Sequence, residues 1–480
     1  MLRVVGERFE FTHGRIRELA YAQLLPPRRK LLHRQTVEAL RALYPTAIDQ
    51  RATALATHAF EGEMWPEAAD YFRRAGQWAL ARSFNREAAA SLARAIAALD
   101  RAVGADTAAL AIDVRLELRT ALVLLGEVEQ AHAPLEQARA LAESLGDRGR
   151  LGRVWAQVSS QRWWTGHQAE AMAAAETAAR LAEETSDDDL GVAATICRAY
   201  AHFGMGDYRD VLRELEPLLA KLGARERDRY GQHQLPIVSP SNQVAVALAH
   251  CGDFEAALAY SRENVARAEA LGHRYGLIHT CWAFGEVYAH RASGGDAMAL
   301  LERALGLFPD RADFFLYSNV IGTLGYAHVL EGRVDEGLEL MSEALAGREQ
   351  RPLRVGLSRL MARTSEASLI AGRIAEAREI AGRCLALTLE QGEHGYEAWA
   401  RRLLGEIALH DGTADGRDAA RAHFIEALAL AEPREMRPVI AHCHFGLGRL
   451  PGGAEHLATA IAMYRDIGMQ YWIDRADRAS

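Results

Sequence analysis

Lysine is almost missing from this chain: Lys30 and Lys221 stand against 54 arginines in 480 residues. Neither lysine follows a glycine, so no G-x-x-x-x-G-K-[ST] phosphate loop is present. Cysteine is scarce too. Cys197, Cys251, Cys281, Cys384 and Cys443 are too few and too scattered for a disulfide scaffold, which fits a reducing cytoplasm. No uninterrupted apolar run approaches the roughly 18 residues of a membrane span, and residues 1–7 carry no apolar signal core. The net charge of −8 gives no support to nonspecific nucleic-acid binding by the whole chain. Also missing are G-x-S-x-G, H-E-x-x-H and paired C-x-x-C motifs, so neither an enzyme nor a cofactor is expected. About 90 alanines and only 13 prolines are present instead. Alanine is the best helix former and packs at the smallest distance, so closely stacked helices follow.

A repeat organises these helices. A turn glycine recurs at Gly126, Gly166, Gly206, Gly252, Gly332, Gly372 and Gly412, in steps of 40, 40, 46, 80, 40 and 40. The double step conceals one further unit, residues 285–305, in which Ala292 takes the place of the turn glycine. Small or apolar residues follow at fixed offsets: Ala131, Leu135 and Ala138; Ala171, Ala175 and Ala178; Gly337, Met341 and Ala344; Ala377, Ala381 and Cys384. Spacings of four and three put each set on one helix face, where small side chains admit a close neighbour. A period near 40 is that of a helical pair, which cannot bury its apolar face alone and must stack. The pattern resembles the tetratricopeptide repeat, with a longer second helix. It implies an all-α, right-handed α-solenoid of about eleven helical pairs over residues 51–470, with a tail at 471–480. Pro134 and Pro217 fall inside second helices and should kink or shorten them. Residues 223–240, with Pro236 and Pro240, read as an irregular connector.

Residues 1–50 stand outside the repeat. Arg8-Phe9-Glu10-Phe11-Thr12-His13 alternates like a short strand, followed by a helical run and the basic start Arg28-Arg29-Lys30. Phe11-x-His13, Arg17-Glu18-x-Ala20-Tyr21-x-x-Leu24-Leu25 and Arg28-Arg29-x-x-Leu32-His33 together resemble a known junction. It is the one between the ATPase module and the helical repeats of bacterial STAND-type signalling ATPases, found in transcriptional activators and linked to adenylate/guanylate cyclases. Ala441-His442-Cys443-His444-x-Gly446-Leu447-Gly448 and the run from Met463 to Trp472 resemble the end of the cyclase-linked chains. In that family a Walker-loop domain and a winged helix precede the Phe-x-His motif, whereas about ten residues precede it here. The resemblance implies a C-terminal sensor or scaffold half, as a truncated reading frame or a stand-alone descendant. The strand would then be the remnant of a wing.

Several local groups invite a chemical reading. His442-Cys443-His444 puts neighbours on different sides of a helix, and His279 with Cys281 has no second ligand pair, so no metal is expected. Asp187-Asp188-Asp189 suits a helix N-terminus better than a cation. Arg28-Arg29-Lys30 suits a solvated helix start or contact with an ATPase half better than phosphate, and no complete DNA-recognition helix is apparent. In tetratricopeptide arrays the first helices line a concave groove. The matching positions here hold Trp163, Tyr200, Phe203, Trp282, Glu286, Tyr326, Trp399, Arg402 and Glu406. Aromatics offer rigid contact area and charges fix register, so these nine form the expected groove for a protein, peptide or small ligand. The expected role is a non-catalytic scaffold or sensor in bacterial signal transduction or transcription regulation, with an ATPase or cyclase module as a further partner. The alternative is the C-terminal fragment of an ATP-binding cyclase-type or transcriptional-regulator ATPase, any catalysis residing in a missing N-terminal region.

Overall fold

The computed structural model describes residues 2–5, 8–11, 14–82, 84–102, 107–223, 237–272, 274–308 and 314–478. Among them are a two-stranded hairpin and 24 α-helices, the all-α solenoid of stacked helical pairs expected from the repeat. The hairpin pairs β1 (Leu2–Val5) antiparallel to β2 (Arg8–Phe11), with Leu2 opposite Phe11. The chain packs as two compact units, residues 1–150 and 151–480.

The first unit continues with α1 (Gly14–Ala22), α2 (Pro26–Leu43), α3 (Ala52–Glu61), α4 (Trp65–Leu80), α5 (Asn85–Leu99), α6 (Ala108–Leu124) and α7 (His132–Leu145). Prolines open α2, where their missing N–H costs nothing. The basic start of α2 is not free: Lys30 pairs with Glu63 at 2.6 Å, and Arg29 lies over the Tyr21 ring. Buried alanines (Ala56, Ala59, Ala68, Ala88, Ala95) let α3, α4 and α5 approach closely around Phe72 and Leu92. Pro134 sits in the first turn of α7, so it shortens that helix from its start instead of kinking it.

The second unit begins within α8 (Arg148–Trp164). It continues through α9 (Gln168–Thr185), α10 (Asp188–Met205), α11 (Tyr208–Leu222), α12 (Ser239–Cys251), α13 (Phe254–Leu271), α14 (Arg274–Arg291), α15 (Gly294–Gly306) and α16 (Phe314–Leu330). After these come α17 (Val334–Glu349), α18 (Leu357–Ile370), α19 (Ile374–Gln391), α20 (His394–Leu409), α21 (Ala414–Ala431), α22 (Arg437–Gly448), α23 (Ala454–Ile467) and α24 (Gln470–Asp477). Pro217 lies inside α11, and the connector position Pro236 falls outside the described residues. All seven turn glycines have the left-handed φ that ends a helix, from 67° to 87°, and Ala292 adopts it too at 64°. Asp187 caps α10 by accepting from the Leu190 N–H at 3.0 Å, with Asp188 and Asp189 in the first turn.

Some even-numbered helices of this unit are covered on nearly every side. Residues 357–369 of α18 are all buried, and so are twelve of the thirteen residues of α12. Their odd-numbered partners bury one face only. The cause is that the solenoid winds tightly enough to touch itself. Arg437 Nε donates to Cys251 O at 2.9 Å across 186 positions, and Arg291 Nε to Gly468 O at 3.0 Å across 177. The amides of Arg354 and Val355 both donate to Trp164 O. At Gly206 the chain meets Gly395 so closely that a Cβ would lie 2.4 Å from its nitrogen.

Candidate functional site

Because the turns close on each other, the inner helices of the second unit surround an axis rather than an open groove. Two different fillings occupy that axis. Near its start lies a pocket, and beyond it lies a run of buried ion pairs.

Five of the nine expected groove residues meet in the pocket: Trp163, Tyr200, Phe203, Trp282 and Glu286. The cavity has about 910 Å³ of space between atoms, its solvent-open mouth included. Trp163 from α8 lies against Tyr200 from α10, ring centroids 4.8 Å apart and tilted 30°. Tyr200 shares a 2.7 Å hydrogen bond with Ser239 at the start of α12. On another wall Trp282 stacks on His279 with planes 8° apart, and the Arg359 guanidinium lies 4.7 Å from the Trp282 ring centre. Burial and the neighbouring Arg359 push His279 down to about 4, so its imidazole is neutral at pH 7. Val355, Gly356 and Arg359, from the pair one turn further on, supply the third wall with Glu393 and Tyr396.

Glu286 closes the pocket and begins the ionic run. Burial alone would raise its carboxyl, but Arg359, Arg363 and the Thr323 hydroxyl outweigh that and hold it below the ordinary range. Its Oε1 is 2.7 Å from Arg359 Nη1 and its Oε2 is 3.6 Å from Arg363 Nη2. Arg359 also donates to Asn319 Oδ1 at 2.9 Å. Further along, Glu366 accepts from Arg402 and, at 2.8 Å, from the Tyr326 hydroxyl, and Arg449 reaches Glu406 at 2.6 Å. Burial opposes the Arg402 charge, yet Glu366 and Glu406 raise its pKa further.

The other four expected groove residues therefore lie elsewhere. Tyr326, Trp399, Arg402 and Glu406 belong to the buried run and its flanks, with Arg402 1 % exposed. Trp399 packs beside His290 and His442. Of the nine, seven are less than one-tenth exposed, and Phe203 and Trp282 are half-buried. Sequence reasoning missed Trp164, Asn242, Arg359, Glu393 and Tyr396. Glu393 is buried, and that burial lifts its carboxyl to about 7 while Ser358 donates to it.

The histidine motif separates as its spacing implies. His442 bonds Tyr464 Oη at 2.7 Å, and His444 turns to His456. Among the described residues one His/Asp group, His202 with Asp207 and Asp210, has metal-ligand proximity. Its carboxylates already pair with Arg434 and Arg213, as in a surface ion-pair seam.

No protein-family model matches the chain, and no curated protein matches it. Solved structures share its architecture. A Rap protein complexed with Competence and Sporulation Factor is 12% identical, over 76% of this chain and 99% of that one, with a TM-score of 0.50. The Rap conjugation gene regulator of plasmid pLS20, in complex with the Phr* peptide, is 13% identical over 74% and 96%, with a TM-score of 0.48. The apo quorum sensor NprR from B. thuringiensis is 12% identical over 74% and 97%, with a TM-score of 0.46. At such identity the first of these likenesses shows the tetratricopeptide-like fold alone.

Proposed function

We propose that this chain is a non-catalytic sensor or scaffold whose axial pocket in the second unit takes a peptide or small ligand, in signal transduction or transcription regulation. The observation that carries the reading is the convergence of Trp163, Tyr200, Phe203 and Trp282 with a few polar groups in one pocket. Apolar walls with sparse polar groups are how ligand sites are usually built. The pocket walls come from helical pairs one superhelical turn apart. A ligand seated there touches both and favours the closed winding, which is how binding becomes a signal. The Rap structure, complexed with Competence and Sporulation Factor, is in keeping with that role.

The resemblance of residues 11–33 and 441–472 to STAND-type chains supplies a second context, in which an ATPase or cyclase module receives the signal. It rests on those motifs and on the antiparallel strands Leu2–Val5 and Arg8–Phe11.

Native mass spectrometry of the full chain, incubated with a peptide and metabolite extract, tests the reading. Val246 lines the pocket, so Val246→Trp fills it. We expect a bound species of defined mass that is lost in the variant while helicity by circular dichroism is kept. A ligand retained by the filled variant, or none in either protein, contradicts the proposal.

A further inference from the structure

Beside the unpartnered Glu286 Oε2 and His279 Nδ1, the pocket lining holds donors with no partner of their own. Trp163 is 7 % exposed and its indole Nε1 has no hydrogen-bond partner. Asn242 is 4 % exposed; its Oδ1 accepts from Asn264 Nδ2, which also reaches Val238 O, and this bond fixes which way the amide points. The Asn242 Nδ2 is left without a partner in the pocket wall. Arg359 adds a third donor. It uses Nη1 on Glu286 and Nη2 on Asn319, and a guanidinium carries five N–H bonds. Arg359 and Glu286 line the pocket as a pair where the buried series of alternating charges begins, and Arg363 lies behind Glu286. Of the acceptors nearby, Glu393 takes the Ser358 hydroxyl and Glu286 Oε1 takes Thr323 and Arg359, while Glu286 Oε2 has only Arg363 at 3.6 Å.

The walls add a shape. Trp163 with Tyr200 and Trp282 with His279 are paired rings, surfaces on which a flat group stacks. A cation would meet Arg359, and an aliphatic ligand would leave two buried donors unpaired.

We infer that the axial pocket binds a carboxylate carried by an aromatic or similarly flat apolar group, its oxygens facing Arg359, Asn242 and Trp163. The inference rests on the reading of this pocket as the ligand site. Two sources offer the same chemistry, a free aromatic acid and the C-terminal residue of a peptide.

Calorimetric titration of the full chain with 3-phenylpropionate, N-acetyl-L-phenylalanine, N-acetyl-L-phenylalaninamide and acetate tests it. At least one aromatic carboxylate is expected to saturate the protein, with the amide and acetate tenfold or more weaker. Saturation by N-acetyl-L-phenylalanine alone identifies a peptide terminus, and saturation by both acids a free acid. Trp163→Phe keeps the ring and removes the N–H, and is expected to weaken acid binding three- to tenfold. Arg359→Gln is expected to weaken it tenfold or more. If that variant fails to fold with Glu286 unpaired, Arg359→Gln with Glu286→Gln keeps the site neutral and serves in its place. An amide that binds as tightly as the acid, or no saturable binding by either aromatic carboxylate, overturns the inference. A neutral ligand excluded by Val246→Trp would overturn the carboxylate while leaving the pocket as the ligand site.

Discussion

At the scale of single residues, the axis holds more charge than a core normally tolerates. Glu286, Glu366, Arg363 and Arg402 are buried and survive as ions only because each faces an opposite charge. Such a series contributes little net stability, yet losing one member leaves its neighbour uncompensated. Glu393 is the exception, for a hydroxyl is its partner and its carboxyl sits at about 7. A raised folded-state pKa means that the native chain holds this proton more tightly than the unfolded chain. Stability from it is complete below about 4.5 and is lost as pH rises through about 7. Glu393→Gln should flatten that slope, removing up to about 3 kcal/mol of pH dependence in urea unfolding followed from pH 5 to 8. An unchanged slope would show that Glu393 is ionised throughout. The sequence assigned nine residues to the first helices of the pairs but could not divide them. Whether Trp163 borders a pocket or Arg402 enters an ion pair is decided by side chains a whole turn away.

Individual helices and turns were far more legible, because each repeat carries its own instructions. The turn glycines, the small residues after them and the hidden unit at Ala292 all lie within about 20 residues of their partners. Ala292 holds a left-handed φ of 64° that costs an L-residue about 1–2 kcal/mol. Ala292→Gly should relieve it and, after the added freedom of the unfolded chain, raise stability by about 0.5–1 kcal/mol. Gly325 is the converse. A Cβ there would stand 2.5 Å from Gly337 O, where α16 and α17 meet. Gly325→Ala should therefore cost about 1–3 kcal/mol through overpacking, read as a lower urea midpoint. Equal midpoints for the two variants would contradict this account of the turn and the helix contact. The proline in α7 shows how far local reading goes: its place in the repeat implies a kink or a shortened helix, and the helix starts only two residues before Pro134.

At the largest scale, the winding of the second unit turns a groove into a pocket. No pattern in the sequence marks which residues 177 or 186 positions apart will touch. The small rotation between neighbouring pairs sets that contact by accumulation. The closure has a local signature all the same. Arg354 and Val355 precede α18 in an irregular segment with no helical bond of their own, and both amides donate to Trp164 O. Hydrogen–deuterium exchange of these two amides in the full chain tests the closed pocket most directly. The account predicts protection comparable to the inner helices. Exchange at the rate of an open loop would mean that the turn does not close and that the pocket wall formed by Val355, Gly356 and Arg359 does not stand.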